Sequence, residues 1–216
     1  MKGHSERVPN KNMRPFCGSP LYHRIACLLE MSPVIDSIVI DTDSDTIARD
    51  ALSNFKKVKI IERPIELRGD MASMNAVIAH DLSVTQGEHF LQTHSTNPLL
   101  TVETLNRAIN DYFTGLVHHD SLFSVTRIQT RLYWESGNPV NHNPNELLRT
   151  QDLPSIFEEN SNFYIFSKKS FKNSRNRRIG LKPKMFAVNK LEAIDIDDEE
   201  DFLLAETLFK LRTEHR

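Results

Sequence analysis

Ser37-Ile-Val-Ile-Asp-Thr-Asp-Ser-Asp-Thr-Ile-Ala-Arg-Asp-Ala-Leu-Ser-Asn-Phe-Lys-Lys-Val-Lys-Ile-Ile61 reads as a strand, a helix and a second strand in immediate succession. Ser37 to Asp41 is a short, continuous apolar run ending in polar residues, as strands buried on both faces of a parallel sheet do. Thr42-Asp-Ser-Asp45 offers side-chain oxygens to the unpaired N–H groups that open a helix. Ile47, Ala48, Ala51 and Leu52 then fall on one side of that helix, and Val58-Lys-Ile-Ile61 is the next strand. The stretch is therefore a βαβ unit.

The same alternation continues outward. A loop from Glu62 to Asp70 leads to a helix over about Ala72 to Ser83, then a strand at His89-Phe-Leu-Gln92. A polar loop from Thr93 to Pro98 precedes a helix over Val102 to Phe113, and Ser121 to Thr126 is a further strand. Asn162-Phe-Tyr-Ile-Phe166, a basic loop over Lys168 to Lys184, a strand near Met185 to Val188 and a helix over Glu199 to Leu211 close the chain. Upstream, Leu21, Ile25, Leu28 and Leu29 recur at helical spacing between Pro20 and Met31. Such alternation predicts an α/β fold, a mostly parallel sheet between helices, with ligands at the carboxyl ends of the strands. Thr130 to Pro154 breaks the pattern: it is polar and rich in Asn and Pro, yet Leu132, Tyr133, Trp134, Leu147 and Leu148 are apolar anchors. It is read as an extended or hairpin excursion from one domain spanning 1–216.

The chain's 216 residues allow a sizeable core, and 39% hydrophobic and 26% charged residues are ordinary for a globular protein. A formal net charge of −2 argues against general nucleic-acid binding. No apolar run approaches the roughly 20 residues of a membrane span, and no signal-peptide pattern opens the chain. Two cysteines without metal spacing suit a reducing compartment, so a cytoplasmic protein is expected.

The chemistry concentrates in a few places. The first twenty residues lack periodicity, and Gly3 with Lys2, Arg7, Lys11 and Arg14 suits a loop wrapped around an anion; a basic terminal arm is the competing reading. Asp195-Ile-Asp197 puts two carboxylates on one face of an extended segment, where they could hold Mg²⁺. Capping of the final helix by Asp197 competes with that role. Asp41-Thr-Asp43-Ser-Asp45 lacks the glycine of a calcium loop, having Thr46 at the sixth position, but could be the metal-binding D-x-D of a glycosyltransferase. Asp70 or Ser73 could cap a helix, and Ser73 could instead meet an anionic ligand at that helix's start. Gln92-Thr-His-Ser-Thr-Asn-Pro98 carries more hydrogen-bonding side chains than a structural loop needs. His118-His119-Asp120 has no second ligand pair and reads as a surface turn. Arg175, Arg177, Arg178, Lys182 and Lys184 read as a solvated basic loop. No G-x-x-x-x-G-K-[ST], G-x-S-x-G or paired CxxC is present.

Taken in order, Lys2-Gly-His-Ser-Glu-Arg-Val-Pro-Asn-Lys-Asn12, Asp41-Thr-Asp-Ser44 and Arg63-Pro-Ile-Glu-Leu-Arg-Gly-Asp-Met-Ala-Ser73 form a recognisable series. Leu91-Gln92 with Ser95 to Leu99, Asn162-Phe-Tyr-Ile165 and Ile194-Asp-Ile-Asp197 complete it. Across nearly its whole length the sequence resembles the acylneuraminate cytidylyltransferase family, the CMP–sialic acid synthetases and their relatives. The resemblance implies a Rossmann-like nucleotidyltransferase fold that couples CTP to an acidic sugar, sialic acid or a relative, releasing pyrophosphate. It implies that Lys2, Ser5, Lys11 and Asn12 hold CTP with Ser73 near the cytidine. It also implies that Gln92 and Arg149 meet the sugar acid and that Asp195 and Asp197 bind Mg²⁺, with Mn²⁺ possible. A homodimer, with the 130–154 excursion crossing to the other subunit, is implied as well.

The sequence departs from the family pattern in three respects. Lys2 stands at an Arg position, and the buried strand that usually precedes it is missing, so a chain beginning at Met1 should show two unpaired edges and a void. The Gln92 loop is longer than the family's Pro-Thr-Ser-Pro, and Leu100 replaces a common Arg, so the acceptor could differ from sialic acid itself. A glycosyltransferase using Asp41 and Asp43, or a catalytically impaired scaffold, are the alternatives that pyrophosphate release would exclude.

Overall fold

The computed structural model describes residues 1–3, 8–69 and 72–214. After the opening loop come a minimal hairpin, β1 (Pro15–Phe16) and β2 (Ser19–Pro20), and then helix α1 (His23–Met31). Cys17 and Gly18 turn that hairpin with φ of 49° and 89°. Two consecutive left-handed residues are what a tight turn needs to match the twist of its strands, and Gly18 adopts that conformation without a side-chain clash. The segment quoted at the outset folds as read: β3 (Ile38–Thr42), α2 (Asp45–Asn54) and β4 (Val58–Glu62), with β3 and β4 parallel. Ser44 caps α2, its hydroxyl accepting from the Ile47 N–H at 3.4 Å.

Next come α3 (Met74–Val84), β5 (His89–Thr93), α4 (Val102–Gly115) and β6 (Ser121–Ile128). The chain ends with β7 (Ile156–Ser167), α5 (Lys168–Asn173), β8 (Pro183–Ala187) and α6 (Glu199–Glu214). Four of these strands form one sheet in the order β5-β7-β6-β8. β6 and β8 are parallel, whereas β7 is antiparallel to both β5 and β6. The sheet is therefore mixed, and the reason lies in the connection. Parallel neighbours need a crossover, usually helical, but residues 129–155 contribute only a single 3₁₀ turn and an isolated bridge, Tyr133 with Pro139. The chain comes back alongside β6 in the opposite direction. The segment read as a basic loop begins with α5, whose Ser167 and Ser170 cap one another reciprocally.

Apolar side chains from α1 and α4 pack on the four-stranded sheet, around Leu105, Tyr112, Leu122 and Phe163. A second cluster joins β3 and β4 to α1 and α2 through Tyr22, Ile40, Ile47 and Val58. A third ties the opening hairpin to the last helix, with Phe16, Leu21, Ile196 and Phe202 in contact. Phe16 meets Phe202 edge-on at 5.6 Å between ring centroids. That cluster brings the two ends of the sequence to one side of the sheet.

Among the described residues, β3 pairs with a neighbour on one edge only, and so does β5. Residues of both strands wall the same cavity of about 730 Å³, together with Ile25 and Leu29 of α1 and Val77 and Ile78 of α3. Among the described residues, no helix is long and apolar enough to cross a membrane.

Candidate active site at the strand ends

The opening loop lies across the carboxyl end of β3. The amino group of Met1 donates to the Asp41 carbonyl, and the Gly3 N–H donates to the Asp43 carboxylate at 2.7 Å. A side chain at Gly3 would sit 2.8 Å from Ser44 Cβ, so glycine is what lets the backbone approach this closely. Lys11 to Met13 make one 3₁₀ turn. The Asn12 amide donates to the Lys2 carbonyl at 3.0 Å and accepts from the Ser95 hydroxyl at 2.7 Å, which joins the loop to the end of β5. Lys2, Lys11 and Asn12 all line the cavity. Ser5 lies outside the described residues.

The carboxylate segment reaches the same place from the other end of the chain. Ile196 is fully buried, and its N–H donates to the Thr96 carbonyl at 2.9 Å. Side chains of two buried asparagines hold the residues before it: Asn162 donates to the Glu192 carbonyl at 2.8 Å and Asn97 to the Ile194 carbonyl at 3.3 Å. The ammonium of Lys11, itself buried, donates to the Ile196 carbonyl at 2.6 Å. The lysine of the anion loop is thereby fastened to the residue between Asp195 and Asp197.

The competition for Asp197 resolves by one position. Asp198 caps α6, its carboxylate accepting from the N–H groups of Glu200 and Asp201 at 2.9 and 3.0 Å. Asp201 in turn accepts from the backbone N–H groups of Asp197 and Asp198. The carboxylates of Asp198 and Asp201 therefore serve the start of the helix. Asp195 keeps one carboxylate oxygen, Oδ1, buried with no hydrogen-bond partner.

Gln92 and His94 line the cavity at the end of β5. Gln92 accepts from Arg178 at 2.7 Å, and its amide nitrogen lies 3.0 Å from His94 Nε2. Burial first, then the Arg178 charge, push the His94 pKa below its usual value, and Asp195 opposes them. Arg178 is a functional candidate that sequence reasoning placed in a solvated loop. Ser73 occupies the position before α3 and is exposed, and its hydroxyl makes no capping bond. Arg149 is exposed on the excursion and paired with Asp152 at 2.7 Å, apart from the cavity-lining residues.

The D-x-D carboxylates have other work. Asp41 is buried and ion-paired with buried Arg63, and Asp43 holds Gly3. Asp41, His80 and Asp81 do bring one ligand atom each to within 4.8 Å of one another, but the Arg63 guanidinium already balances the buried charge there. The Asp81 pKa is pushed up to about 7 by burial and then by Asp41. His118 is exposed and His119 half-buried, and the Asp120 carboxylate accepts from the Leu181 and Lys182 N–H groups at 2.9 and 3.0 Å, so that turn is structural.

A family model described as "Cytidylyltransferase" matches residues 1–211. The chain is 26% identical to a pseudaminic acid cytidylyltransferase of Campylobacter jejuni, over 99% of this chain and 95% of that protein. It is 29% identical to a CMP-N,N'-diacetyllegionaminic acid synthase of Legionella pneumophila, over 97% of this chain and 94% of the relative. Among solved structures, a CMP:2-keto-3-deoxy-manno-octonic acid synthetase complexed with CTP superimposes with a TM-score of 0.69. It does so over 98% of this chain and 96% of its own, at 8% identity, which speaks for the fold alone.

Proposed function

The chain belongs to the cytidylyltransferase family, and from that premise we propose that it couples CTP to an acidic sugar of the nonulosonate type, giving the CMP-sugar and pyrophosphate. One observation supports the reading above the others. The Lys11 ammonium is tied to the carbonyl between Asp195 and Asp197, so a phosphate-binding cation and a pair of carboxylates share one end of the sheet.

A hydroxyl of the acceptor attacks the α-phosphorus and releases its proton to solvent as the bond to the β-phosphate breaks, and pyrophosphate leaves with the electron pair. Such a reaction asks the protein for alignment and for neutralisation of charge on phosphate oxygens. Lys2, Lys11 and Asn12 hold the nucleotide's phosphates and base, with Ser5 in the same loop and Ser73 at the start of α3, where unpaired N–H groups favour an anion. Gln92 orients the acceptor. Asp195 and Asp197 would hold Mg²⁺ or Mn²⁺; a buried carboxylate oxygen of Asp195 without a hydrogen-bond partner and the assignment of capping to Asp198 fit that use. When bound, the ion supplies charge neutralisation at the phosphate oxygens.

The enzyme acts as a cytoplasmic homodimer in this reading. Trp134 is 64% and Leu147 95% exposed on the excursion, an apolar face suited to a second copy, and Arg149 beside it would then serve the partner's acceptor site. The test is pyrophosphate release from CTP with a panel of acids: N-acetylneuraminic, N,N'-diacetyllegionaminic and pseudaminic. Release with one or more, and none with UDP-sugars, is the expected result; none with any acid overturns the reading.

A further inference from the structure

The loop between α5 and β8 is built to hold one guanidinium in a fixed place. Buried Ser174 anchors its first turn, its hydroxyl donating to the carbonyls of Phe171 and Arg177 at 3.0 and 2.8 Å. Arg175 and Asn176 take left-handed φ of 59° and 57°, a costly conformation for such residues that the surrounding bonds maintain. Asp120 and Ser121 secure the other side, binding the N–H groups of Gly180, Leu181 and Lys182. A side chain at Gly180 would meet the Asp120 carboxylate at 2.2 Å, so the approach requires glycine.

Between these anchors Arg178 turns inward. Its guanidinium lies 3.9 Å above the ring of fully buried Tyr164, whose hydroxyl is engaged by Glu159 and Ser161. The same guanidinium donates to Gln92 Oε1 at 2.7 Å and approaches His94 Nε2 at 3.5 Å. No carboxylate among the described residues is within ion-pair distance of it. A half-buried arginine stacked on one ring, with Gln92 and His94 as its polar neighbours among the described residues, presents a fork that matches a carboxylate. Burial and the Arg178 charge push the His94 pKa below its usual value, with the Asp195 carboxylate opposing them.

We propose that Arg178 is a specificity-determining residue, the cation that receives the carboxylate of the acceptor acid beside Gln92. The inference rests on the cytidylyltransferase reading above and names the residue that makes the acceptor an acid. It also explains why the loop is so tightly tied: an ion pair with a ligand loses less on binding when the arginine is already in place.

Arg178→Met keeps an apolar stem over Tyr164 and removes the charge, while Arg178→Lys keeps the charge without the fork. Steady-state pyrophosphate release is measured for both and for the unaltered protein, using the most active acid of the panel and its methyl ester. The KM for the acid should rise roughly 100-fold in Arg178→Met and by about 10-fold in Arg178→Lys, with the KM for CTP within about threefold of normal. The unaltered enzyme should prefer acid over ester by about 100-fold, and Arg178→Met by only a few-fold. A structural role alone would not erase that preference, and Arg178→Lys carries the test if the Met variant does not fold. An active enzyme whose variants keep the acid's KM and the preference for it overturns the inference but not the parent reading. An unaltered protein inactive with every acid overturns both.

Discussion

The two ends of the candidate site are built by different means. At the proposed nucleotide end most of the bonds involve the main chain, Lys11 on the Ile196 carbonyl, Asn12 on the Lys2 carbonyl and the Gly3 N–H on Asp43, with Asn12 and Ser95 as a side-chain pair. At the acceptor end, side chains meet side chains, with Arg178 and Gln92 joined across 86 positions of sequence. Backbone contacts fix a loop whose neighbours in sequence must be conserved in type, so the first end appears as contiguous motifs. Side-chain pairs can be exchanged one partner at a time on an unchanged scaffold. In the proposed reading, the difference would let one nucleotide-binding frame serve relatives that carry the names of different acids.

The largest effect should come from separating Asp197 from its neighbour. Asp197→Asn should lower turnover by two to three orders of magnitude, because it removes a charged group at the phosphates. The helix cap should survive the change, since Asp198 supplies it. Asp198→Ala should do the reverse, costing about 1 kcal/mol of stability with turnover nearly unaltered. A chelator should abolish activity, and Mg²⁺ or Mn²⁺ should restore it. An active Asp197→Asn enzyme would leave the nucleotide end without its carboxylate pair.

Lys11→Ala should lower turnover by around two orders of magnitude, about 2–3 kcal/mol of transition-state stabilisation. Unlike Asp197→Asn, it should also lower the melting temperature by several degrees, because a buried bond to the Ile196 carbonyl disappears. Kinetics at saturating CTP alongside a melt separate the two effects. An unchanged rate would remove Lys11 from the phosphates and leave it only as a fastener.

The same contrast governs what the sequence discloses. The βαβ unit is legible because an apolar run, the capping Ser44 and an apolar helix face are all local signals. The direction of β7 is not, because an apolar run reads alike both ways and only the connection decides it. Helix α5 was hidden because its cap pairs Ser167 with Ser170, where Glu or Gln is the usual third-position signal. Lys2, Lys11, Asn12 and Gln92 line one cavity, and Asp195 lies next to Ile196, whose carbonyl Lys11 holds. Arg178 could not be picked out from its basic neighbours, because what distinguishes it is Tyr164 beneath it and Asp120 behind its loop. Asp198 was passed over by one residue, which lies within the ordinary uncertainty of helix boundaries.

A smaller effect concerns assembly. Trp134→Ser with Leu147→Ser should shift the protein towards monomer at micromolar concentration by light scattering, and lower activity several-fold if the partner's Arg149 serves the acceptor end. The KM for the acid should bear that loss and the KM for CTP should not. A monomer already in the unaltered protein would confine the acceptor site to one chain.

The smallest effect sets both ends against the wall of the cavity between them. Asp81 on α3 has its pKa raised to about 7, first by burial and then by the hydrogen bond and charge of Asp41, with His80 opposing. The unfolded carboxyl titrates near its model value of 3.8. Between these values the folded chain holds a proton that the unfolded chain has released. The contribution to stability is therefore complete below about pH 4 and is lost as pH rises towards 7. Asp81→Asn is neutral throughout and similar in shape, so it should remove that slope. Its melting temperature should equal the unaltered protein's near pH 4 and exceed it by a few degrees at pH 8, on the order of 1–2 kcal/mol after allowance for partial solvent access. Comparing the two proteins at each pH cancels the acid titration of every other carboxylate. A difference that does not change between pH 4 and pH 8 would mean that Asp81 is ionised in the fold. Asp41 would then share Arg63 with a second negative charge, and the wall would be as polar as the two ends it separates.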